Sequence, residues 1–250
     1  MIVDRDDIEQ FKSKVEKGFD VHDSAVGKGA VSFSVAPRYS HEESYEAVFK
    51  EFEGHEFTPL YRRTKEGFKV FVTPRKMKSR EVRPRVHLML LILTAVTVTW
   101  AGYVWWADGN VAQSIMFAAA LMGVLGIHEL GHSLTARRRG IKATLPFFIP
   151  APPTIFPFGT LGAVIFMGSP VKNRQSLLDV GIAGPIAGFL VCIPIAIIGL
   201  KLSTVAPISA IVEGEYVFTM PLILQLLSGY VFGGSLGPNM IIQPHPIAMA

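Results

Sequence analysis

Five consecutive residues hold the chemistry open to this chain: His128, Glu129, Leu130, Gly131 and His132. A helix rises about 1.5 Å per residue and returns to the same face every four residues. His128 and His132 therefore point the same way, with the spacing to hold one zinc ion, and Glu129 sits beside them as a base for a zinc-bound water. The motif lies in a stretch apolar enough to cross a bilayer. An ionisable group in a membrane helix costs about 3 kcal/mol on insertion scales, so such groups mark function. Zinc chemistry within a membrane is the expectation. A proton or ion path in a transporter is the competing use of such residues. The ligand spacing, with Gly123, Gly126 and Gly131 opening space around the helix, favours the metal.

The rest of the chain must position that helix. Of its 250 residues 50% are hydrophobic, which suits a membrane protein better than a soluble domain. Charge is unevenly spread: residues 1–85 hold 17 of the 24 Lys/Arg and 15 of the 20 Asp/Glu. A polar head thus precedes a membrane body. The net charge of +4 does not call for nucleic acid, because the basic excess lies beside apolar spans, where it sets orientation. The single cysteine, Cys192, excludes a disulfide framework within the chain and is expected to pack. The first 25 residues are charged and lack the apolar core of a signal peptide.

The head, 1–74, reads as a small α+β domain. Val31, Phe33 and Val35 alternate as on a strand. Tyr45, Val48, Phe49 and Phe52 have helical spacing behind Ser40, an N-cap residue. Two strands, 56–62 and 68–73, are expected around the turn 64–67. His22, His41 and His55 lack metal-ligand spacing. A basic linker, 75–85, carries Arg75, Lys76, Lys78, Arg80, Arg83 and Arg85 directly before the first apolar span, which places the head in the cytoplasm.

Spans are expected at 86–107, 111–135 and 177–200. Trp100, Tyr103, Trp105 and Trp106 form an aromatic belt at the far end of the first. Arg137, Arg138, Arg139, Gly140 and Lys142 make a basic, glycine-capped end to the second, which sets the histidines toward the cytoplasmic side. Between the second and third spans, Pro146, Pro150, Pro152, Pro153 and Pro157 break any helix, and 159–166 is β-prone. Non-helical backbone at membrane depth survives only when buried in protein or facing a wet cavity, so 144–168 is read as a re-entrant hairpin beside the zinc helix. Lys172, Asn173 and Arg174 form a further basic turn. Gly181, Gly184 and Gly188 make a small-residue stripe on the third span. Residues 217–232 are a possible partial span, 233–243 a linker, and 244–250 the start of another helix. The fold class is a polytopic α-helical membrane protein with a re-entrant, partly β hairpin and a small N-terminal α+β cytoplasmic domain.

The ordered set of His128–His132 in a membrane helix, a Pro-rich segment, Gly159-Thr160-Leu161-Gly162-Ala163, and Ala183-Gly184-Pro185 opening the next helix resembles the site-2 protease family of intramembrane zinc metalloproteases. The branch it most resembles is the archaeal and plastid one with a polar N-terminal head. The resemblance covers 86–250 and implies hydrolysis of peptide bonds in transmembrane substrates, as in regulated intramembrane proteolysis. It implies His128 and His132 as Zn2+ ligands and Glu129 as general base, taking a proton from water and delivering it to the leaving amine. Segment 161–166, and Gly162, Ala163, Val164 and Ile165 in particular, would pair as an edge strand with an unwound substrate.

The family's third ligand is an aspartate in an Asp-Gly motif of a later helix, and 1–250 contains no such motif. It is expected beyond Ala250, in a C-terminally truncated chain that would be inactive without it; the other reading is that a residue within 1–250 closes the site. Asp179 is the best internal candidate and His245 a weaker one. A later helix bringing that aspartate back to the zinc requires that 217–232 not fully span. The alternatives to a protease are a membrane scaffold that binds transmembrane segments without cutting them and, behind it, a transporter. Partners are a transmembrane substrate and the lipid bilayer, not nucleic acid.

Overall fold

The computed structural model describes residues 5–27, 30–74, 84–169, 171, 173–207, 221–233 and 240–250. Most of the basic linker, including Arg75, Lys76, Lys78, Arg80 and Arg83, lies outside the described residues, as does Lys172. By contact the chain forms two units, 1–80 with 169–177, and 81–168 with 178–250.

The first unit is α+β. Helix α1 (Arg5–Val15) and strand β1 (Phe19–Gly27) precede the elements legible from pattern: β2 (Ala30–Pro37), α2 (His41–Glu51), β3 (Phe57–Thr64) and β4 (Gly67–Pro74). The antiparallel sheet has the order β1-β2-β4-β3. Val31, Phe33 and Val35 face the core with Val70 and Val72, and Phe11, Val15, Val48 and Phe52 of the two helices close it. Ser40 caps α2 in a capping box with Glu43, satisfying two backbone donors. The Tyr45 hydroxyl donates to the Pro59 carbonyl at 2.9 Å, which ties α2 to β3. Strand β1 escaped the sequence reading because it is a bulged edge strand whose only buried residue is Phe19. Helix α1 carries its signal in the four-residue spacing of Phe11 and Val15. His41 and His55 are engaged by the Tyr61 hydroxyl and Lys14.

The second unit holds the apolar helices. Helix α3 (Pro84–Ala101) ends in a π-helical turn (Gly102–Trp106). Helix α4 (Val111–Arg138) follows the turn at Asp108 and Gly109, with the Asn110 side chain accepting from the Gln113 N–H as its N-cap. Helix α5 (Arg174–Leu202) is 29 residues long. With its π turn α3 has 23 residues, and α4 has 28; all three are long and apolar enough to cross a membrane. Cys192 is exposed on α5 rather than packed within the protein.

The Pro-rich stretch forms a two-stranded antiparallel hairpin, β5 (Phe147–Pro150) and β6 (Thr160–Val164). Ladder contacts continue outward where the Thr144 N–H donates to the Phe166 carbonyl at 3.0 Å and Ala143 bridges Met167. The indoles of Trp105 and Trp106 donate to the Pro153 and Pro157 carbonyls, each at 2.8 Å. Prolines leave carbonyls without a local helical donor, and these two tryptophans satisfy them.

Beyond α5, strand β7 (Thr204–Pro207) pairs with β8 (Met240–Gln243). Residues 240–243, read as linker, are therefore strand. Helix α6 (Leu222–Phe232) has 11 residues, about 16 Å of rise, short of the roughly 30 Å hydrocarbon core. Residues 217–220 of the expected partial span lie outside the described residues. The short helix α7 (Pro246–Met249) starts close to the expected residue 244.

Candidate metal centre

The site is built on α4, and the sequence explains why that helix holds its shape there. Its C-terminus closes in a Schellman motif: the Gly140 N–H bonds to the Arg137 carbonyl and the Ile141 N–H to that of Ala136. Gly140 takes the left-handed conformation at φ 72° that this motif needs. The chain then turns back directly into the hairpin.

His128 and His132 meet as their spacing requires. Their Nε2 atoms stand 3.2 Å apart, with the rings at 74° to one another. Two imidazole nitrogens sharing one tetrahedral zinc at about 2.0–2.1 Å lie about 3.3 Å apart. The pair therefore fits a common metal ion without rearrangement. The other nitrogen of His132 decides the tautomer. Nδ1 lies 2.6 Å from the Val180 carbonyl, which can only accept, so Nδ1 carries the proton and Nε2 presents its lone pair. Glu129 is half-buried and within electrostatic reach of both rings.

Helix α5 makes room for the rings with glycines. A methyl built at Gly184 would lie 2.5 Å from His132 Cε1 and closer still to Nε2 and Cδ2. One at Gly188 would lie 3.1 Å from His128 Nδ1. One at Gly131 would meet the Ala183 carbonyl oxygen at 2.6 Å. The pairs 128/188 and 132/184 run antiparallel. The glycines repeat the four-residue step of the histidines, so each ring drops into a slot. The sequence showed Gly184 and Gly188 as a packing stripe; their role as ring slots, and the Val180 carbonyl, needed the partner helix. Gly181 has no atom within 4 Å of a built methyl and takes no part.

The hairpin flanks the same stretch of α4. The buried Ser133 hydroxyl donates to the Thr144 carbonyl at 2.9 Å, and Phe148 Cζ lies 3.4 Å from a methyl built on Gly126. These two contacts bracket the motif. Gly162, Ala163 and Val164 lie in β6, whereas Ile165 falls just past its end. Strand β5 packs on α3, and β6 has no second partner strand among the described residues.

The two internal candidates for a third ligand are otherwise engaged. Asp179 pairs with Arg139 at the end of α4. His245 Nδ1 accepts from the Ile247 N–H at 3.3 Å and caps α7. Among the described residues no third His, Cys, Asp or Glu groups with the histidine pair as a metal-binding set.

The family described as "Peptidase family M50" matches residues 116–250, which include α4 from its second turn on, the hairpin and α5. A protein of Arabidopsis thaliana described as "Probable zinc metalloprotease EGY2, chloroplastic" is 33% identical over 126 residues, covering 50% of this chain and 22% of its own length. The Arabidopsis "Probable zinc metalloprotease EGY1, chloroplastic" is 30% identical over 142 residues, 56% of this chain and 25% of its own. An EGY2 protein of Oryza sativa subsp. indica, described in the same words, is 28% identical over 132 residues, 53% and 23% of the two chains. The matched part thus spans about a quarter of the length of these relatives. No solved structure matches. With more than half of its residues under the family match, and with the motif order that resembled the site-2 proteases, the chain belongs to peptidase family M50, the site-2 protease family of membrane metalloproteases.

Proposed function

We propose that this chain carries the zinc-binding and proton-transfer residues of an intramembrane endopeptidase that hydrolyses peptide bonds in transmembrane substrates near the cytoplasmic face. One observation carries the reading: on an apolar, membrane-length helix, two imidazole Nε2 atoms face each other at 3.2 Å with the tautomer of one already set. Polar groups are not gathered at that depth without a use. Zinc held there supplies Lewis acidity toward a water and toward the scissile carbonyl oxygen.

The chain's own residues do the rest. His128 and His132 would hold the metal through Nε2, and the Val180 carbonyl keeps the second ring in place through Nδ1. The Glu129 carboxylate takes the proton of the attacking water and returns it to the leaving amine. A transmembrane helix hides its carbonyls in its own hydrogen bonds, so the substrate must unwind before attack. Strand β6, with an unpaired edge and anchored beside the motif through Ser133 and Thr144, offers backbone partners to the extended segment around the bond. The hairpin is re-entrant in this reading. The basic residues before α3 and after α4 set the N-terminal unit in the cytoplasm.

The test is zinc content per chain of the purified protein, beside His128→Ala, with cleavage of a fluorogenic transmembrane substrate in micelles. About one zinc per chain, lost in His128→Ala, is the expected result; cleavage that a chelator abolishes and zinc restores would add that the site closes within these residues. No zinc in the unsubstituted chain overturns the reading.

A further inference from the structure

The ion pair between Arg139 and Asp179 is not accounted for by the chemistry above. It joins the C-cap residue of α4 to the residue directly before Val180, whose carbonyl holds His132 Nδ1. Arg139 lies seven residues, or two turns, beyond His132 on the same helix. The α4–α5 contact at the histidines is made almost wholly of small residues: Gly131, Ala183, Gly184, Ala187 and Gly188. Small residues let helices approach closely, so what resists sliding along the axis here is the two imidazole rings in their slots and, two turns on, the Arg139–Asp179 pair. Sliding by one residue moves a backbone atom about 1.5 Å, three times the roughly 0.5 Å within which a ligand must be held. Pro185 weakens α5 at the same place, since it has no N–H for the Gly181 carbonyl.

We propose that the Arg139–Asp179 ion pair is a register pin: it fixes α5 against α4 so that the Val180 carbonyl stays on His132 Nδ1 and Nε2 stays turned to His128. Asp179 is then a positioning residue rather than a metal ligand. Its Oδ2 is shielded from solvent and faces the Arg139 guanidinium, while the arginine side chain is 45% exposed. The aspartate is thus the less exposed partner of the pair. This inference rests on the zinc-peptidase reading for its consequence, though not for its geometry.

The experiment uses the full chain in detergent micelles with 15N-labelled histidine. Long-range 1H–15N spectra read the His132 tautomer, assigned against His132→Asn, and chelator competition reads zinc affinity. Asp179→Asn keeps the side-chain volume and removes the charge; Arg139→Gln removes it from the exposed side, where folding is least at risk. Each is expected to turn a single Nδ1–H form of His132 into a tautomer mixture and to weaken zinc binding about tenfold or more, as loss of a ligand's supporting partner does. Arg139→Lys, which keeps the charge, is expected to restore both. An unchanged His132 tautomer in Asp179→Asn and Arg139→Gln overturns the pin, even if affinity falls. If the unsubstituted chain binds no zinc, the peptidase reading fails, and the tautomer comparison still decides the pin.

Discussion

Gly184→Ala tests the slot that admits His132. The added methyl would stand 2.5 Å from Cε1 and nearer to Nε2. Non-bonded carbons rest at about 3.5–4.0 Å, so the ring must retreat by about 1 Å or the two helices must part. The ring is tethered through Nδ1 to Val180 at 2.6 Å, and a shift of that size breaks the bond, at a cost of about 1 kcal/mol. Overpacking adds about 1–3 kcal/mol. The displacement also exceeds the roughly 0.5 Å within which a ligand must be held, so Nε2 leaves its place opposite His128. We expect zinc affinity, measured by chelator competition in micelles, to fall at least about 100-fold, or about 2.7 kcal/mol. Gly181→Ala is the control: it lies on the same helix, one turn earlier, with open space where the methyl would go. It should bind zinc like the unsubstituted chain. Equal affinities for the two variants would refute the slot, and with it the antiparallel matching of 128 with 188 and 132 with 184.

Glu129→Gln should retain zinc while cleavage falls by about 10²–10⁴-fold, the usual worth of a general base; retained turnover removes Glu129 from that role. Ala163→Pro, on the unpaired edge strand, should slow cleavage with zinc content unchanged, and normal turnover would dismiss β6 as the substrate-pairing edge. Ser133→Ala strands the Thr144 carbonyl and should destabilise the hairpin by about 1–3 kcal/mol. Faster hydrogen exchange across 143–167, with His128 and His132 still binding zinc, would show it. In the N-terminal unit, burial raises Tyr45 from 10.0 to about 12. The folded state therefore keeps a proton that the unfolded chain releases near pH 10, and stability should fall as pH rises from 10 toward 12. Tyr45→Phe should flatten that slope in a denaturation series; an unaltered slope would assign it elsewhere.

The motif was legible in the sequence because it is local: four residues make one helical turn, and an apolar surround makes two histidines and a glutamate conspicuous. The same holds for the Gly140 cap, the Ser40 cap, the alternation of Val31, Phe33 and Val35, and the three long apolar runs. Strand β1 was not legible, because an edge strand with one buried residue carries almost no alternation. Strand β8 was not legible either, since four residues gain their identity only from β7, more than thirty positions earlier.

The sequence alone singled out the histidine pair proposed to bind zinc and the membrane-length helix that carries it, since both follow from short-range periodicity and composition. Tertiary structure alone decided what surrounds them. It gave Asp179 to Arg139 and His245 to the cap of α7, where the sequence had offered both as ligands. It also set the Val180 carbonyl on His132 and turned Gly184 and Gly188 into ring slots. Apart from the local cap at His245, these assignments depend on which residues of α5 face which residues of α4 across about 50 positions of chain, and pairing at that range is fixed by packing rather than by any pattern within one segment.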